Sequence, residues 1–222
     1  METTWIRPAS NFLQRRTLGL FADYKVTGKE HVPLDGPLII VANHQSNLDP
    51  ALLSPSIPRR IRFLAKNSIF RVPIANWFLR TYGAFPLNRD GVDITAHRWS
   101  VAHLKSGGAL ALFPEGTRNP KGMGTAHPGV ARLALSTKTR LLPVGITGTE
   151  RLGSVLRVFN PTGRIRMNIG EPFDLPPIEG KPGKAEMEAI TAMIMRRIAA
   201  LLPADYRGMY SDEEPADANG SP

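Results

Sequence analysis

Short apolar segments alternate with longer amphipathic ones along this chain, and the alternation predicts an α/β fold. Segments of five to seven residues with apolar or β-branched character are bounded by turn-forming residues, as strands are. We predict strands at 24–28, 37–42, 60–65, 82–87, 108–113, 140–146 and 163–169. The segments 50–57, 73–81, 92–106, 127–138 and 184–202 are predicted to be helices.

The helical period is clearest in the last of these segments, KAEMEAITAMIMRRIAALL. Its apolar residues recur close to every 3.6 positions, at Met187, Ile190, Ile194, Ile198 and Leu201. Strands that alternate with helices form sheets covered on both faces. We therefore predict one α/β domain, a size that 222 residues allow, with a mixed, mostly parallel sheet of about seven strands covered by helices.

Two terminal segments differ from this central domain, which we place at residues 24–202. Residues 1–23 include WIRPASNFLQRRTLGLF, predicted to be a basic amphipathic helix that begins after Pro8 with Ser10 as its N-cap. That helix could lie on a membrane surface or pack on the protein's own core. Residues 203–222 are rich in acidic residues, Pro and Gly, and are predicted to be disordered.

The charge is unevenly distributed. The chain has 28 basic and 19 acidic residues. The last 20 positions contain one basic and five acidic residues, so the rest of the chain has a net charge of +13. Such a charge favours an anionic partner, such as nucleic acid, anionic lipid or a phosphorylated substrate. Neither a DNA-recognition helix nor an aromatic and basic RNA-binding motif is found, so we expect no nucleic-acid partner.

Absent residue types and segments narrow the chemistry further. The chain has no cysteine, which excludes disulfides, Cys-ligated zinc and a thiol nucleophile. No apolar run approaches the 18 residues of a membrane span, and no signal-peptide pattern opens the chain. We expect a cytoplasmic protein that associates peripherally with the cytoplasmic face of the membrane.

The segment IIVANHQSNLDP, residues 39–50, places an imidazole and a carboxylate just beyond a predicted buried strand. In open α/β sheets the chemistry collects beyond the carboxyl ends of the strands, where His44 lies. Because Asp49 precedes Pro50, it could simply cap the helix 50–57. Alternatively, the turn-rich segment lets Asp49 accept a hydrogen bond from one imidazole nitrogen, which leaves the other nitrogen to accept a proton from a hydroxyl group.

Charged residues follow other predicted strands in the same way. FPEGTR ends the strand 108–113 and contains Glu115 and Arg118, which could also pair with each other in a solvent-exposed loop. Arg89 follows the strand 82–87, and it reaches the same edge of the sheet if that strand is parallel to the others. Lys66 follows the strand 60–65 similarly.

Four of these segments resemble the motifs of the glycerolipid acyltransferases, the family of the bacterial 1-acylglycerol-3-phosphate acyltransferases. NHQSNLD resembles the His-x4-Asp motif, GAFPLNR the second motif, FPEGTR the third and LLPVGI the fourth. They occur in the expected order and cover roughly residues 35–170. The chain departs from the common pattern at Asn88, where an acidic residue is frequent, and at Asn119, where a small residue is frequent.

The resemblance implies a fold like that of glycerol-3-phosphate acyltransferase and a role for each matching residue. His44 would be the general base, with Asp49 holding its tautomer. Pro143, in the fourth motif, would contact the acyl donor or serve local structure. The residues that would bind the acceptor and its phosphate are Lys66, Arg89, Glu115, Gly116, Thr117 and Arg118.

The implied activity is transfer of an acyl group from acyl-CoA or acyl carrier protein to the free hydroxyl of a 1-acylglycerol-3-phosphate, which makes phosphatidic acid. No cofactor and no metal are expected. The implied partners are the lysophospholipid, the acyl donor and an anionic membrane surface. Alternatives are another acceptor (glycerol-3-phosphate, another lysophospholipid or an acylated sugar), a non-catalytic basic lipid-binding module, and a metal-dependent hydrolase that uses His44, Asp49 and Glu115.

Overall fold

The computed structural model describes residues 6–88, 91, 93–178, 180 and 182–211. Its helices are α1 (Ile6–Phe21), α2 (Asp49–Ser56), α3 (Pro73–Tyr82), α4 (Ile94–Lys105), α5 (Gly129–Thr137) and α6 (Lys184–Ala199). Its strands are β1 (Ala22–Thr27), β2 (Leu38–Ala42), β3 (Ile61–Lys66), β4 (Ala84–Leu87), β5 (Ala109–Leu112), β6 (Leu141–Thr147) and β7 (Gly163–Ile169).

The strands form one sheet with the order β1-β7-β6-β2-β5-β3-β4. Every neighbouring pair is parallel except β6 and β7, which are antiparallel. The prediction of a single mixed, mostly parallel seven-stranded sheet is confirmed. The five strands from β6 to β4 therefore run in one direction, and their carboxyl ends meet at one edge of the sheet.

Helices cover both faces of the sheet. Strand β2 is buried along its whole length, and its residues alternate between the two core layers. Leu38 and Ile40 face a layer that contains Leu18 of α1 and Leu52 of α2. The opposite layer contains Ile39 and Val41 together with side chains of α4, α5 and α6. A strand buried on both faces accounts for the continuous apolar run that precedes Asn43.

Helix α1 differs from its prediction at the N-terminus. It begins at Ile6, so Ser10 lies inside the helix and the prediction that Ser10 is the N-cap is wrong. Pro8 is accommodated because the first turn of a helix does not use its N–H groups. Leu18 is fully buried in the core, whereas Leu20 remains exposed. The helix therefore packs on the domain with one face and leaves an apolar face uncovered.

Residues 203–211 are ordered, contrary to the predicted disorder. They form two 3-10 turns, Ala204–Tyr206 and Gly208–Tyr210. The carbonyl of Tyr206 accepts from the N–H of Met123 at 3.1 Å, and the N–H of Met209 donates to the carbonyl of Met123 at 3.2 Å. The composition signal for disorder came mainly from acidic residues beyond Ser211, which lie outside the described residues, as do residues 1–5.

Candidate active site

His44 and Asp49 form a close pair beyond the carboxyl end of β2. Nδ1 of the imidazole lies 2.7 Å from Oδ2 of the carboxylate. The His44 side chain is 12% exposed and that of Asp49 is fully buried. Because Nδ1 is hydrogen-bonded to the carboxylate, Nε2 is the nitrogen left to exchange a proton with a bound hydroxyl group. This arrangement has the geometry that a general base and an orienting carboxylate require.

Asp49 is fixed by the turn that precedes α2. Its Oδ2 also accepts from the backbone N–H groups of Gln45 at 2.7 Å and Ser46 at 2.8 Å. Its Oδ1 accepts from the hydroxyl of Thr149 at 2.6 Å. Helix α2 begins at Asp49 itself and has no side-chain hydrogen bond at its N-cap, Leu48. The carboxylate thus serves the turn and the imidazole, and the capping alternative is wrong.

The His44 ring and backbone connect the β2 loop to the loop that follows β5. The ring stacks on Phe113, with ring centroids 4.3 Å apart and planes inclined by 24°. The N–H of His44 donates to Oε1 of Glu115 at 2.9 Å, and its carbonyl accepts from the N–H of Asn119 at 2.7 Å. These contacts restrain both the orientation of the imidazole and the position of its backbone.

Glu115 points into the protein and is almost completely buried. Besides the His44 N–H, its carboxylate accepts from the N–H of Gly124 at 2.9 Å and from the side-chain amide of Asn119. Burial raises the pKa of Glu115 above its ordinary value, while these hydrogen bonds act in the opposite direction. The geometry favours a role in holding two loops together over the direct acceptor contact that the resemblance implies.

Replacing Glu115 with glutamine is expected to lower both kcat and stability. An amide in this position must turn an NH2 group toward at least one of the N–H donors, so a buried hydrogen bond is lost. We expect a loss of kcat of about tenfold and a lower melting temperature. The matched control is Glu186→Gln on the exposed part of α6, which should change neither quantity.

The same variant has an expected pH signature. Because the native pKa of Glu115 is raised, its contribution to stability is fully present below its ordinary value of 4.5 and is lost as pH rises through the native value. The free-energy difference between wild type and Glu115→Gln should therefore narrow as pH rises from 4.5 toward 7. Urea unfolding at a series of pH values measures it, and a constant or widening difference contradicts this account.

The rest of the third motif forms an exposed turn beside the imidazole. Thr117 and Arg118 are solvent-exposed. Gly116 has a φ of 62°, and a Cβ atom there would lie 2.9 Å from a ring carbon of His127, so both the backbone conformation and the close approach require glycine. The turn thus offers polar and cationic groups at the rim of the site.

Two further predicted phosphate-binding residues follow strands that lie farther along the edge. Lys66 is the exposed last residue of β3, two strands from β2, which corresponds to about 10 Å at the usual strand spacing. Arg89 lies outside the described residues, immediately after Asn88 and the end of β4. Strand β4 is parallel to β3, as the placement of Arg89 at this edge requires.

Pro143 lies in the interior of β6, opposite Val41 of β2. It is buried, its carbonyl accepts from the N–H of Gly170 at 2.9 Å, and its ring would be 3.0 Å from a Cβ atom at Gly170. Pro143 is therefore closely packed against the residue that follows the neighbouring strand β7. Of the two roles that the resemblance implies for Pro143, this packing favours the structural one.

Several contributors to the site are missing from the sequence-based prediction. They are Asn43, Gln45, Phe113, Asn119 and Thr149, which all lie just beyond or at the ends of β2, β5 and β6. Asn43 extends the β2–β6 pairing, since its amide donates to the Ile146 carbonyl at 2.8 Å and accepts from the Ile146 N–H at 2.7 Å. The available signal was position alone, at or beyond the carboxyl ends of parallel strands, and four of the five residues are polar.

In the described part of the chain, no group of three or more His, Asp or Glu side chains is arranged to hold a metal ion. No helix within those residues is long and apolar enough to cross a bilayer.

Comparison with known proteins places this geometry in a family. The model of the family described as Acyltransferase matches residues 23–147, more than half of the chain. The chain is 27% identical to the 1-acyl-sn-glycerol-3-phosphate acyltransferase of Bacillus subtilis, over 83% of this chain and 90% of that one. It is 28% identical to the enzyme of that name from Streptococcus pneumoniae, over 82% of this chain and 66% of that one.

A solved structure is similar to this chain over most of the length of both proteins. It is the crystal structure of the 1-acyl-sn-glycerophosphate acyltransferase from Thermotoga maritima, with a TM-score of 0.69 and 29% sequence identity, covering 89% of this chain and 80% of that one. The matched segment contains the His44–Asp49 pair and the Glu115 loop. This chain belongs to the acyltransferase family.

Proposed function

We propose that this enzyme transfers an acyl group from a thioester donor, acyl-CoA or acyl carrier protein, to the hydroxyl of a 1-acylglycerol-3-phosphate and so makes phosphatidic acid. The observation that carries the proposal is the His44–Asp49 pair, whose Nδ1–Oδ2 distance is 2.7 Å and whose Nε2 is left for substrate. The names of the relatives support the choice of acceptor.

The residues support direct attack of the acceptor on the thioester. As the acceptor oxygen attacks the carbonyl carbon, Nε2 of His44 takes the hydroxyl proton. The buried carboxylate of Asp49 stabilises the imidazolium that forms. The tetrahedral intermediate then collapses, the carbon–sulfur bond breaks, and the imidazolium returns the proton to the thiolate. Ester and free thiol are the products, and the enzyme returns to its starting state.

The acceptor phosphate is assigned to cations along the same edge of the sheet. Arg118 lies in the exposed turn after β5 and Lys66 at the exposed end of β3. Arg89 follows β4, and its guanidinium would suit bidentate contact with phosphate oxygens. Glu115 would act through the loops that it holds. The net positive charge of the chain favours the approach of anionic substrates.

The decisive experiment measures thiol release from acyl-CoA by the purified protein. We expect release that depends on 1-acylglycerol-3-phosphate, is much weaker with the unphosphorylated 1-acylglycerol, and persists in the presence of a chelator. Glycerol-3-phosphate and other lysophospholipids test the alternative acceptors. Vesicle binding without thiol release would favour the lipid-binding module, and loss of activity on chelation would favour the metal-dependent hydrolase.

We also propose that the enzyme docks on an anionic membrane surface through apolar side chains near α1. Leu20 of α1 is 75% exposed, and Trp77 of α3 is 58% exposed. The two helices are connected by a 2.8 Å hydrogen bond from the Tyr82 hydroxyl to Oδ1 of Asn11. Apolar side chains beside arginines suit shallow insertion among anionic headgroups.

The combined variant Leu20→Ser, Trp77→Ser is expected to bind anionic vesicles at least about tenfold more weakly, because two insertion points are removed. Sedimentation with vesicles measures this, and binding of the wild type should fall as salt is raised. The control is Ile94→Ser, which removes a 60% exposed side chain of α4 on the opposite face of the sheet. Equal binding by all three proteins would contradict the proposed surface.

A further inference from the structure

The segment at the end of β6, residues 146–150, contacts the catalytic turn, which we define as residues 43–49, at three places. Asn43 exchanges two hydrogen bonds with the backbone of Ile146. The hydroxyl of Thr149 donates to Asp49 at 2.6 Å. The side-chain amide of Gln45, oriented with its nitrogen toward two acceptors, donates to Glu150 at 3.1 Å. The turn that carries the base is therefore held by a segment that is about 100 residues away in sequence and contains no charged catalytic group.

The Thr149 contact is the one that reaches the carboxylate. Oδ2 of Asp49 already accepts from His44 and from two backbone N–H groups, and Thr149 supplies the donor to Oδ1. Both Thr149 and Asp49 are fully buried. Water is thus excluded from the contact, and a buried carboxylate oxygen that loses its donor has a large desolvation cost.

The backbone before Thr149 is built to present this hydroxyl. Gly148 has a φ of 88°, and a Cβ atom there would lie 1.9 Å from the carbonyl oxygen of Arg164 in β7. Only glycine fits this turn against the neighbouring strand. On the other side, Glu150 accepts from the hydroxyl of Tyr206 at 2.9 Å. Thr149 is fixed at both of its neighbours, so its hydroxyl meets Asp49 in one defined position.

We propose that Thr149 is a positioning residue of the catalytic pair, acting through Asp49 on the orientation of the His44 imidazole. The expected kinetic consequences rest on the proposed acyl transfer. The contact between Thr149 and Asp49 is observed independently of that proposal. Without the hydroxyl, the carboxylate can rotate away from the plane that suits Nδ1, and the imidazole loses its fixed orientation. A small misplacement of a base is costly because proton transfer depends steeply on geometry.

The kinetic test compares Thr149→Val, which has nearly the same shape and no hydroxyl, with Thr149→Ser, which keeps the hydroxyl. We expect Thr149→Val to lower kcat about tenfold with little change in KM, and Thr149→Ser to recover most of the loss. The control is Thr147→Val, a buried threonine at the end of the same strand with no contact to Asp49, which should keep wild-type kcat. If Thr149→Val fails to fold, Thr149→Ala takes its place.

A double variant separates positioning from general loss of structure. In the Asp49→Ala background the partner of the Thr149 hydroxyl is absent, so Thr149→Val should change kcat less than about twofold. Full multiplication of the two losses would overturn the proposal, as would wild-type kcat in Thr149→Val. Wild-type protein that releases no thiol with any acceptor would contradict the proposed function instead.

A spectroscopic readout decides the inference without any substrate. The Nδ1–H proton of an imidazole that donates to a buried carboxylate resonates far downfield in a proton NMR spectrum, and loss of the signal in His44→Ala assigns it. We expect this resonance to shift or broaden in Thr149→Val and to stay in place in Thr149→Ser and Thr147→Val. An unchanged resonance in Thr149→Val means that Thr149 does not position the pair.

Discussion

Replacing His44 with alanine is expected to lower kcat by at least about 100-fold, the contribution typical of a general base. The acceptor hydroxyl is a poor nucleophile near neutral pH, and Nε2 of His44 is positioned to take its proton. Thiol release from acyl-CoA in the presence of the acceptor measures the effect. The melting temperature should change little, because Oδ2 of Asp49 keeps its two backbone N–H donors when the imidazole is removed.

The matched control for this variant is His97→Ala. His97 is an exposed histidine on α4, outside the catalytic turn, and its removal should leave kcat and the melting temperature unchanged. Retention of half the wild-type rate by His44→Ala would show that His44 is not the base. Loss of the cooperative unfolding transition would show that the imidazole stabilises the fold.

Asp49→Asn is expected to lower kcat by about 100-fold or more while nearly preserving stability. In this geometry the substitution removes the negative charge and keeps the hydrogen bonds. An asparagine can place its oxygen at the position of Oδ2, where it still accepts from His44, Gln45 and Ser46. Its amide can donate to the hydroxyl oxygen of Thr149, which then reverses its role. The hydrogen bonds are kept, and the charge that stabilises the imidazolium is lost.

Kinetics and thermal melting on the same preparation test this separation. We expect the stability of Asp49→Asn to stay within about 1 kcal/mol of the wild type, the net contribution of one hydrogen bond. A normal kcat would mean that the negative charge has no part in the reaction. A large fall in stability with a normal KM would mean that the carboxylate mainly holds the turn.

The sequence was sufficient for the strands and for the contact between His44 and Asp49, for a physical reason. Strand β2 is buried on both faces, so its apolar run is continuous and its end is sharp, at the point where Asn43 and His44 begin. Parallel strands deliver their carboxyl ends to a common edge, which brought His44 and Glu115 together as expected. Local pattern and strand direction therefore locate the site.

What could not be predicted depends on side-chain direction and on strand order. Glu115 reads as a charged residue of an exposed loop, yet its carboxylate turns inward to N–H groups that only the folded loops provide. Thr149 is 100 residues from Asp49 in sequence, and the residues around it do not predict the contact. The prediction that Ser10 is the N-cap was wrong because a proline can lie in the first turn of a helix as well as before the helix begins. Pro8 lies in the first turn of α1.

The pairing of β1 with β7 constrains how this chain folds during synthesis. Thr27 of β1 and Asn168 of β7 hydrogen-bond although they are 141 residues apart in sequence. At about 5–20 residues per second, β1 emerges from the ribosome on the order of ten seconds before its partner strand. Throughout that interval its backbone N–H and carbonyl groups lack the neighbour they finally pair with, a state that favours association with other nascent chains. Strand β1 is thus completed by β7, the last of the seven strands in the described residues, and a chain interrupted before residue 163 lacks the partner of β1 altogether.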